Sequence, residues 1–264
     1  MLIVISPAKS LNSDRQLPPD FPLEQANTAP RDQKRAWDLI KVLRALNHAD
    51  VAKLMDLSDA LTALNVSRYD TFKAKADVLS ARPAVLLFDG DVYDGLNAAS
   101  LNSAQLLAAQ QQLRILSGLY GVLRPLDLIQ AHRLEMGTRL ITHSGNSLYA
   151  FWGQHITDRL NEDLAAGGHT ELLNLASEEY FKAVKPSALK AAVVEVTFLD
   201  EKNGTYKVIS FFAKRARGLM ARYVIDKGIT HSRDIHSFTA AGYRYSQAES
   251  SAHCMVFKRK EGAS

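Results

Sequence analysis

Six cations and no acid occupy residues 202–225: Lys202, Lys207, Lys214, Arg215, Arg217 and Arg222. The whole chain carries a formal net charge of +4, so everything outside this window sums to −2 and the positive charge is local. Such a run is chemistry for an anion. A guanidinium forks onto two oxygens of a phosphate or carboxylate, while an ammonium adds a point charge. A plain surface helix mixes acids among its bases, so this window reads as a phosphate-directed surface ahead of a merely solvated face.

Lys9 is a second isolated cation, just beyond the apolar run Leu2 to Ile5 and its Ser6-Pro7 turn. A lysine at such a place, with a neighbouring cation to lower its pKa, can act as a nucleophile on a sugar carbon. The bland alternative is a salt bridge to a loop carboxylate. His132-Arg133-Leu134-Glu135 gathers an imidazole, a cation and a carboxylate. Here we read His132 as structural, Arg133 as an anion binder and Glu135 as a catalytic acid or base.

Asp89-Gly90-Asp91 and Asp94-Gly95 invite a metal reading, but a calcium hand would need an oxygen ligand at Tyr93 and a glutamate at Ser100. Turn-forming Asp-Gly pairs explain them, with a one- or two-carboxylate Mg²⁺ site as the alternative. Leu116 to Gly121 has two glycines but neither a GxGxxG pattern nor a Lys-Ser/Thr after them, so it offers little for a nucleotide cradle. The eight histidines show no paired ligand spacing, and a single cysteine, Cys254, excludes an internal disulfide or a multi-cysteine cage. No metal and no cofactor is expected.

The elements that must position these groups follow from periodicity. Thr205 to Phe212 read as a strand and Ala213 to Ile225 as a helix, placing the cations where strand feeds helix. On the helical projection Lys214, Arg215, Arg217 and Arg222 share one arc, opposite Ala216, Leu219, Met220, Tyr223 and Val224. Further strands are expected at Leu2 to Ile5, Ala84 to Phe88, Leu172 to Leu175, Val193 to Leu199, Gly242 to Tyr245 and Cys254 to Phe257. Asn203-Gly204 is a hairpin signal. Asn12 to Arg31, with four prolines, should wrap the surface as a loop. Helices are expected around Trp37 to Leu46, from Val51, over Gln105 to Gln112 and from Glu178, the last capped by Ser177. Met55 to Leu64 has the apolar spacing of a helix-hairpin-helix, with Asp56 and Ser58 where that motif has glycines. Lys258 to Lys260 read as a solubilising tail.

With 264 residues, 47% hydrophobic, and no long linker or internal repeat, residues 1–264 read as one domain, and the single cysteine fits a reducing compartment. No segment has the length of a membrane span. The fold class is α/β of the mixed α+β kind, a mixed sheet covered by helices.

Several stretches resemble one family: IVISPAK at Ile3 to Lys9, FDGDVYDGL at Phe88 to Leu96, LSGLYGVLRPLDLIQAHRLEMG at Leu116 to Gly137, NLASEEYFK at Asn174 to Lys182, FLDEKNG at Phe198 to Gly204 and SFFAKRARGLMAR at Ser210 to Arg222. Together they are similar to the bacterial YaaA family of peroxide-stress proteins over essentially the whole chain. The resemblance implies a cytoplasmic protein that limits unincorporated iron under peroxide, and DNA binding with a helix-hairpin-helix element in one mixed α/β domain. The matching segments for DNA are Met55 to Leu64 and the basic Lys214, Arg215, Arg217 and Arg222.

Three functions follow as expectations. The first is a DNA-binding stress protein whose cationic cleft, including Lys9 and Arg133, holds the backbone of structured or double-stranded DNA. The second is a lyase or glycosylase-like enzyme on damaged nucleic acid or a small phosphorylated substrate, with Lys9 and Glu135 as the reactive pair. Direct iron sequestration ranks third.

Overall fold

The computed structural model describes residues 1–25, 28–76 and 79–263, so Ala26 and Asn27 of the proline-rich stretch lie outside the described residues. Its spine is an eight-stranded sheet of β1 (Leu2–Ile5), β2 (Leu113–Ser117), β3 (Gly121–Leu123), β4 (Glu171–Leu175), β5 (Ala192–Lys202), β6 (Thr205–Lys207), β7 (Arg244–Tyr245) and β8 (Cys254–Arg259). The spatial order is β7-β8-β5-β4-β1-β2-β3, with β6 folded back on β5. The inner strands β8, β5, β4, β1 and β2 run parallel, whereas β3, β6 and β7 pair antiparallel.

β1 is apolar throughout and buried throughout, because a parallel strand covered on both faces has no side for polar residues. Ile3 stands opposite Leu113 on one side and Leu173 on the other. β5 instead alternates, burying Val194, Val196, Phe198 and Asp200. Asn203 and Gly204 take positive φ of 54° and 72° and close the β5–β6 turn in two residues, as the Asn-Gly signal requires.

Among the described residues the α-helices of six residues or more are α1 (Gln33–Arg44), α2 (His48–Met55), α3 (Asp59–Thr71), α4 (Asp91–Leu96), α5 (Ser103–Gln112), α6 (His155–Ala166) and α7 (Ser210–Lys227). Asn47 caps α2 by accepting from the Asp50 N–H at 2.9 Å, and Asn102 with Gln105 forms a reciprocal capping box on α5. α7 crosses α4 with backbones in contact. A Cβ on Gly218 would lie 1.8 Å from the Val92 carbonyl oxygen, and one on Gly95 would lie 2.2 Å from the Arg215 carbonyl oxygen. Glycine on both partners is what permits the crossing, so Asp94-Gly95 serves helix packing rather than a turn.

Several elements differ from the sequence expectation. Ala84–Leu87 is one helical turn, not a strand; only Phe88–Asp89 is extended, pairing with Ser10–Leu11. A short, fully buried apolar run carries no period to separate the two states. The strand expected to reach Phe212 stops at Lys207, and α7 starts at Ser210. β8 occupies one edge of β5 up to Asp200, so β6 must use the other edge, where β4 already holds Ala192 to Glu195. The helix after Ser177 is the single turn Glu178–Phe181, leaving Lys182 and Lys185 beyond its body.

The carboxyl-terminal bases are not a free tail. Arg259 closes β8 with its Nε 2.6 Å from the buried Asp200 carboxylate and its guanidinium over the Phe212 and Tyr243 rings. Gly242 lies in a 3₁₀ turn ahead of β7. Arg31 ends the proline-rich loop and forks onto Asp163 at 2.9 and 2.8 Å, which pins that loop to α6.

Candidate functional site

From β1 the chain moves to β2 on one side, and it later returns to β4 on the other. The carboxyl ends of β1 and β4 therefore form a topological switch point, where open α/β sheets leave a crevice for ligands. Ser6 follows β1 and Ser177 follows β4. The Ser6 hydroxyl donates to the Ser177 hydroxyl at 3.2 Å and accepts from the Ser177 N–H at 2.8 Å, and the Tyr93 hydroxyl donates to the Ser6 carbonyl at 3.2 Å. Ser177 thus ties two strand ends together instead of capping its helical turn. Beside them lies a cavity of about 340 Å³, walled by Lys9, Glu135 and Tyr180 and, from α7, by Lys214 and Arg217.

Glu135 is the hub of the first wall. Its Oε1 accepts from Arg133 Nε at 3.1 Å and Nη2 at 3.0 Å, and Lys9 Nζ stands 3.2 Å away. Its Oε2 is buried and has no hydrogen-bond partner among the described residues. Gly118 makes room for this segment, since a Cβ there would meet the Leu134 carbonyl oxygen at 2.3 Å. On the far side the Tyr69 hydroxyl of α3 donates to the Arg133 carbonyl. Burial first, and then the Glu135 charge, push the Tyr69 pKa up, so the phenol stays a donor.

On the second wall Arg217 is half-buried and makes no hydrogen bond or ion pair among the described residues. Burial lowers its pKa, and the charge of Glu195 on β5 opposes that shift. Glu195 is itself pushed up by burial, against the hydrogen bond it accepts from the Asn174 amide at 2.7 Å. A guanidinium withdrawn from water with open donors is an anion receptor. Lys214 lies one turn away and is exposed.

The structure thus brings together Lys9, Glu135, Lys214 and Arg217, with Arg133 bonded to Glu135 behind them. It does not add Arg215 or Arg222. Arg215 borders a separate hollow of about 240 Å³ beside Phe211 and Phe212. Arg222 is held by Asp226 at 2.8 Å, donates to the Ser100 hydroxyl at 2.6 Å and reaches the Asn97 carbonyl at 3.2 Å. It locks α7 to the end of α4. His132 is buried, with Nδ1 2.8 Å from the Gln130 carbonyl, and burial pushes its pKa down to about 4. It is a neutral core group.

Lys9, Glu135 and Glu179 also border a larger chamber of about 830 Å³, walled by Val42 and Leu46 of α1, Leu54 and Met55 of α2, and Leu140 and Ile141. Asp56, in the α2–α3 turn with a left-handed φ of 50°, stands on its rim. Met55 to Leu64 spans the end of α2, a tight turn at Asp56 and the start of α3, a helical corner beside the chamber. Sequence reasoning missed this chamber and the roles of Ser6, Ser177 and Glu179. Its apolar walls look like ordinary helix faces in the chain, and only the folded structure shows Ile141 70% exposed beside them.

Acids stand among the cations. Asp89, Asp91 and Glu179 border the smaller cavity, with Asp89 engaged by Arg15. Among the described residues, no group of three His, Cys, Asp or Glu side chains is placed to hold a metal, and no helix is long and apolar enough to cross a membrane.

A family model described as "Peroxide stress protein YaaA" matches residues 1–249. Curated relatives called UPF0246 proteins align over nearly the full length: one from Janthinobacterium sp. (strain Marseille) is 50% identical over 99% of this chain and 100% of its own, and one from Leptothrix cholodnii is 51% identical over 98% of each. A third, from Aliivibrio fischeri (strain MJ11), is 50% identical over 99% of both chains. With the family's motifs falling on the strand ends and the glycine-rich crossings that build the cleft, the chain belongs to the YaaA family of peroxide-stress proteins.

Proposed function

We propose that this protein binds DNA in the cytoplasm and, in doing so, limits the damage that peroxide and free iron cause there. The observation that carries the reading is Arg217, a half-buried guanidinium with open donors on the wall of a cleft at the sheet's switch point. Lys214 lines the same cleft, and Lys202, Lys207 and Arg215, on the β5–β6 hairpin and on α7, are likewise exposed and make no ion pair among the described residues, so their field is available to a phosphate backbone. The α2–α3 turn lies across the larger chamber, where its backbone can meet a second phosphate. Iron control is then indirect, acting where ferrous ion would bind the same polyanion.

Fluorescence anisotropy with labelled duplex, single-stranded and branched DNA over a salt series tests this. Each lost phosphate contact removes about one unit of the slope of log affinity against log salt, so Arg215→Ala/Arg217→Ala should flatten it by about two. An unchanged slope, or no binding of any DNA form at low salt, overturns the reading.

A further inference from the structure

The cleft contains features that a polymer backbone alone does not use. Arg217, Lys214 and Lys9 all line the smaller cavity, which gives it three cations for a phosphate. Asp89, Asp91 and Glu179 border the same cavity, so phosphates flanking the one at Arg217 would approach carboxylates. The cradle therefore takes one phosphate at a time, that of a strand or that of a small molecule. Beside it Glu135 Oε2 is buried without a donor, while Oε1 is already committed to Arg133 and Lys9. A buried acceptor of this kind is satisfied by an O–H or N–H brought by a ligand.

The third feature is the aliphatic chamber. It shares Lys9 and Glu135 with the smaller cavity and is lined by Leu46, Leu54, Met55 and Leu140 together with the charged Asp50, Lys53, Asp56 and Arg139, and its volume of about 830 Å³ is within the range of small-molecule sites. The three parts lie in one order: anion cradle, acceptor, apolar chamber. That order fits a molecule with a terminal phosphate, then a hydroxylated or N–H-bearing middle, then a body with apolar faces and polar edges.

We infer that the cleft is a binding site for a nucleoside monophosphate, with the phosphate on Arg217, Lys214 and Lys9, a sugar or base donor on Glu135 Oε2, and the base between α1, α2 and the segment carrying Leu140. The inference shares the cleft with the DNA reading and stands independently of it. Lys9 is the hinge between the two chambers. Its side chain is two-thirds exposed beside Glu135, so it is free to turn from the carboxylate to an arriving phosphate.

Isothermal titration of the full chain with AMP, CMP, adenosine, ribose 5-phosphate and inorganic phosphate tests it. AMP and CMP should bind at least about tenfold more tightly than either inorganic phosphate or adenosine, since both ends of the site are then filled. Arg217→Gln should remove the advantage of AMP over adenosine. Lys214→Ala, at an exposed position, should weaken AMP in the same direction if the Arg217 variant fails to fold. Leu54→Trp, which fills the chamber, should reduce AMP to the level of ribose 5-phosphate. AMP binding no tighter than inorganic phosphate, or insensitive to both Lys214→Ala and Leu54→Trp, overturns the inference.

DNA titrations of the same proteins separate the two readings. DNA binding without AMP binding removes this inference alone. AMP binding without DNA binding removes the DNA reading and leaves this one standing.

Discussion

Lys9 Nζ lies 3.2 Å from Glu135 Oε1, and the same oxygen accepts from Arg133 at 3.0 Å, so one carboxylate holds two cations from separate segments at the sheet's switch point. Lys9 is 66% exposed and Glu135 only 15%, which makes the lysine the mobile member and the carboxylate the fixed one. Solvent around Lys9 screens the attraction, so the pair contributes little to stability and much to the local charge of the cleft.

Neutralising that carboxylate should strengthen anion binding. Glu135→Gln leaves Lys9 and Arg133 uncompensated beside Arg217 and is expected to tighten phosphate or DNA binding by about 0.5–1 kcal/mol, roughly two- to fivefold. Anisotropy or calorimetry at fixed salt reads the change. Weaker binding instead would mean that Glu135 acts by orienting its two cations.

Gly218→Ala sets two effects of opposite sign against each other. Helix propensity alone favours alanine by about 1 kcal/mol. A Cβ placed 1.8 Å from the Val92 carbonyl oxygen forces α4 and α7 apart, and because the contact is backbone the cost should exceed about 3 kcal/mol. Urea unfolding should show the loss, and a stabilised variant would refute the close crossing.

At the α2–α3 turn, Asp56 holds a left-handed conformation that costs an L-residue about 1 kcal/mol or more. Asp56→Gly relieves it and removes an acid from the chamber rim. Stability should rise by up to about 1 kcal/mol, and if the turn contacts phosphate, DNA affinity should rise with it. A stability gain with unchanged affinity would make the turn a helical corner only.

His132 predicts a pH dependence. Its folded pKa near 4 is below the unfolded value near 6.5, so the unfolded chain binds the proton first as pH falls. The stability it contributes is complete above about pH 6.5 and drains away down to about pH 4, by roughly 3 kcal/mol in all. The difference between wild-type and His132→Gln stability should shrink across that window. A constant difference would contradict a buried neutral imidazole.

Arg259→Ala removes the guanidinium from Asp200, which is buried and otherwise bonded to the Tyr243 hydroxyl at 2.9 Å. An uncompensated buried carboxylate should cost about 3 kcal/mol or more, far above the cost of losing a solubilising tail residue. Thermal unfolding distinguishes the two.

What the chain determines by itself is local. Leu2 to Ile5 favours a strand because Ile3, Val4 and Ile5 are β-branched, Asn203-Gly204 closes a two-residue hairpin because both residues tolerate positive φ, and the excess of cations around α7 is a property of composition. Ala84 to Leu87 was not decidable, since four buried apolar residues have no period. The site itself belongs to tertiary structure. Arg217 and Arg222 share one helix and one arc of its projection, yet Arg217 opens into the cleft while Arg222 is consumed by Asp226, Ser100 and the Asn97 carbonyl. What separates their fates is α4, which lies against Gly218 between them. Helical spacing fixes which way a side chain leaves its own helix; only the packing of other segments decides whether it meets a carboxylate, a carbonyl or an open cavity. Lys9, Glu135 and Arg217 come from three distant stretches, and their meeting at the ends of β1 and β4 follows from strand order, which no local propensity encodes.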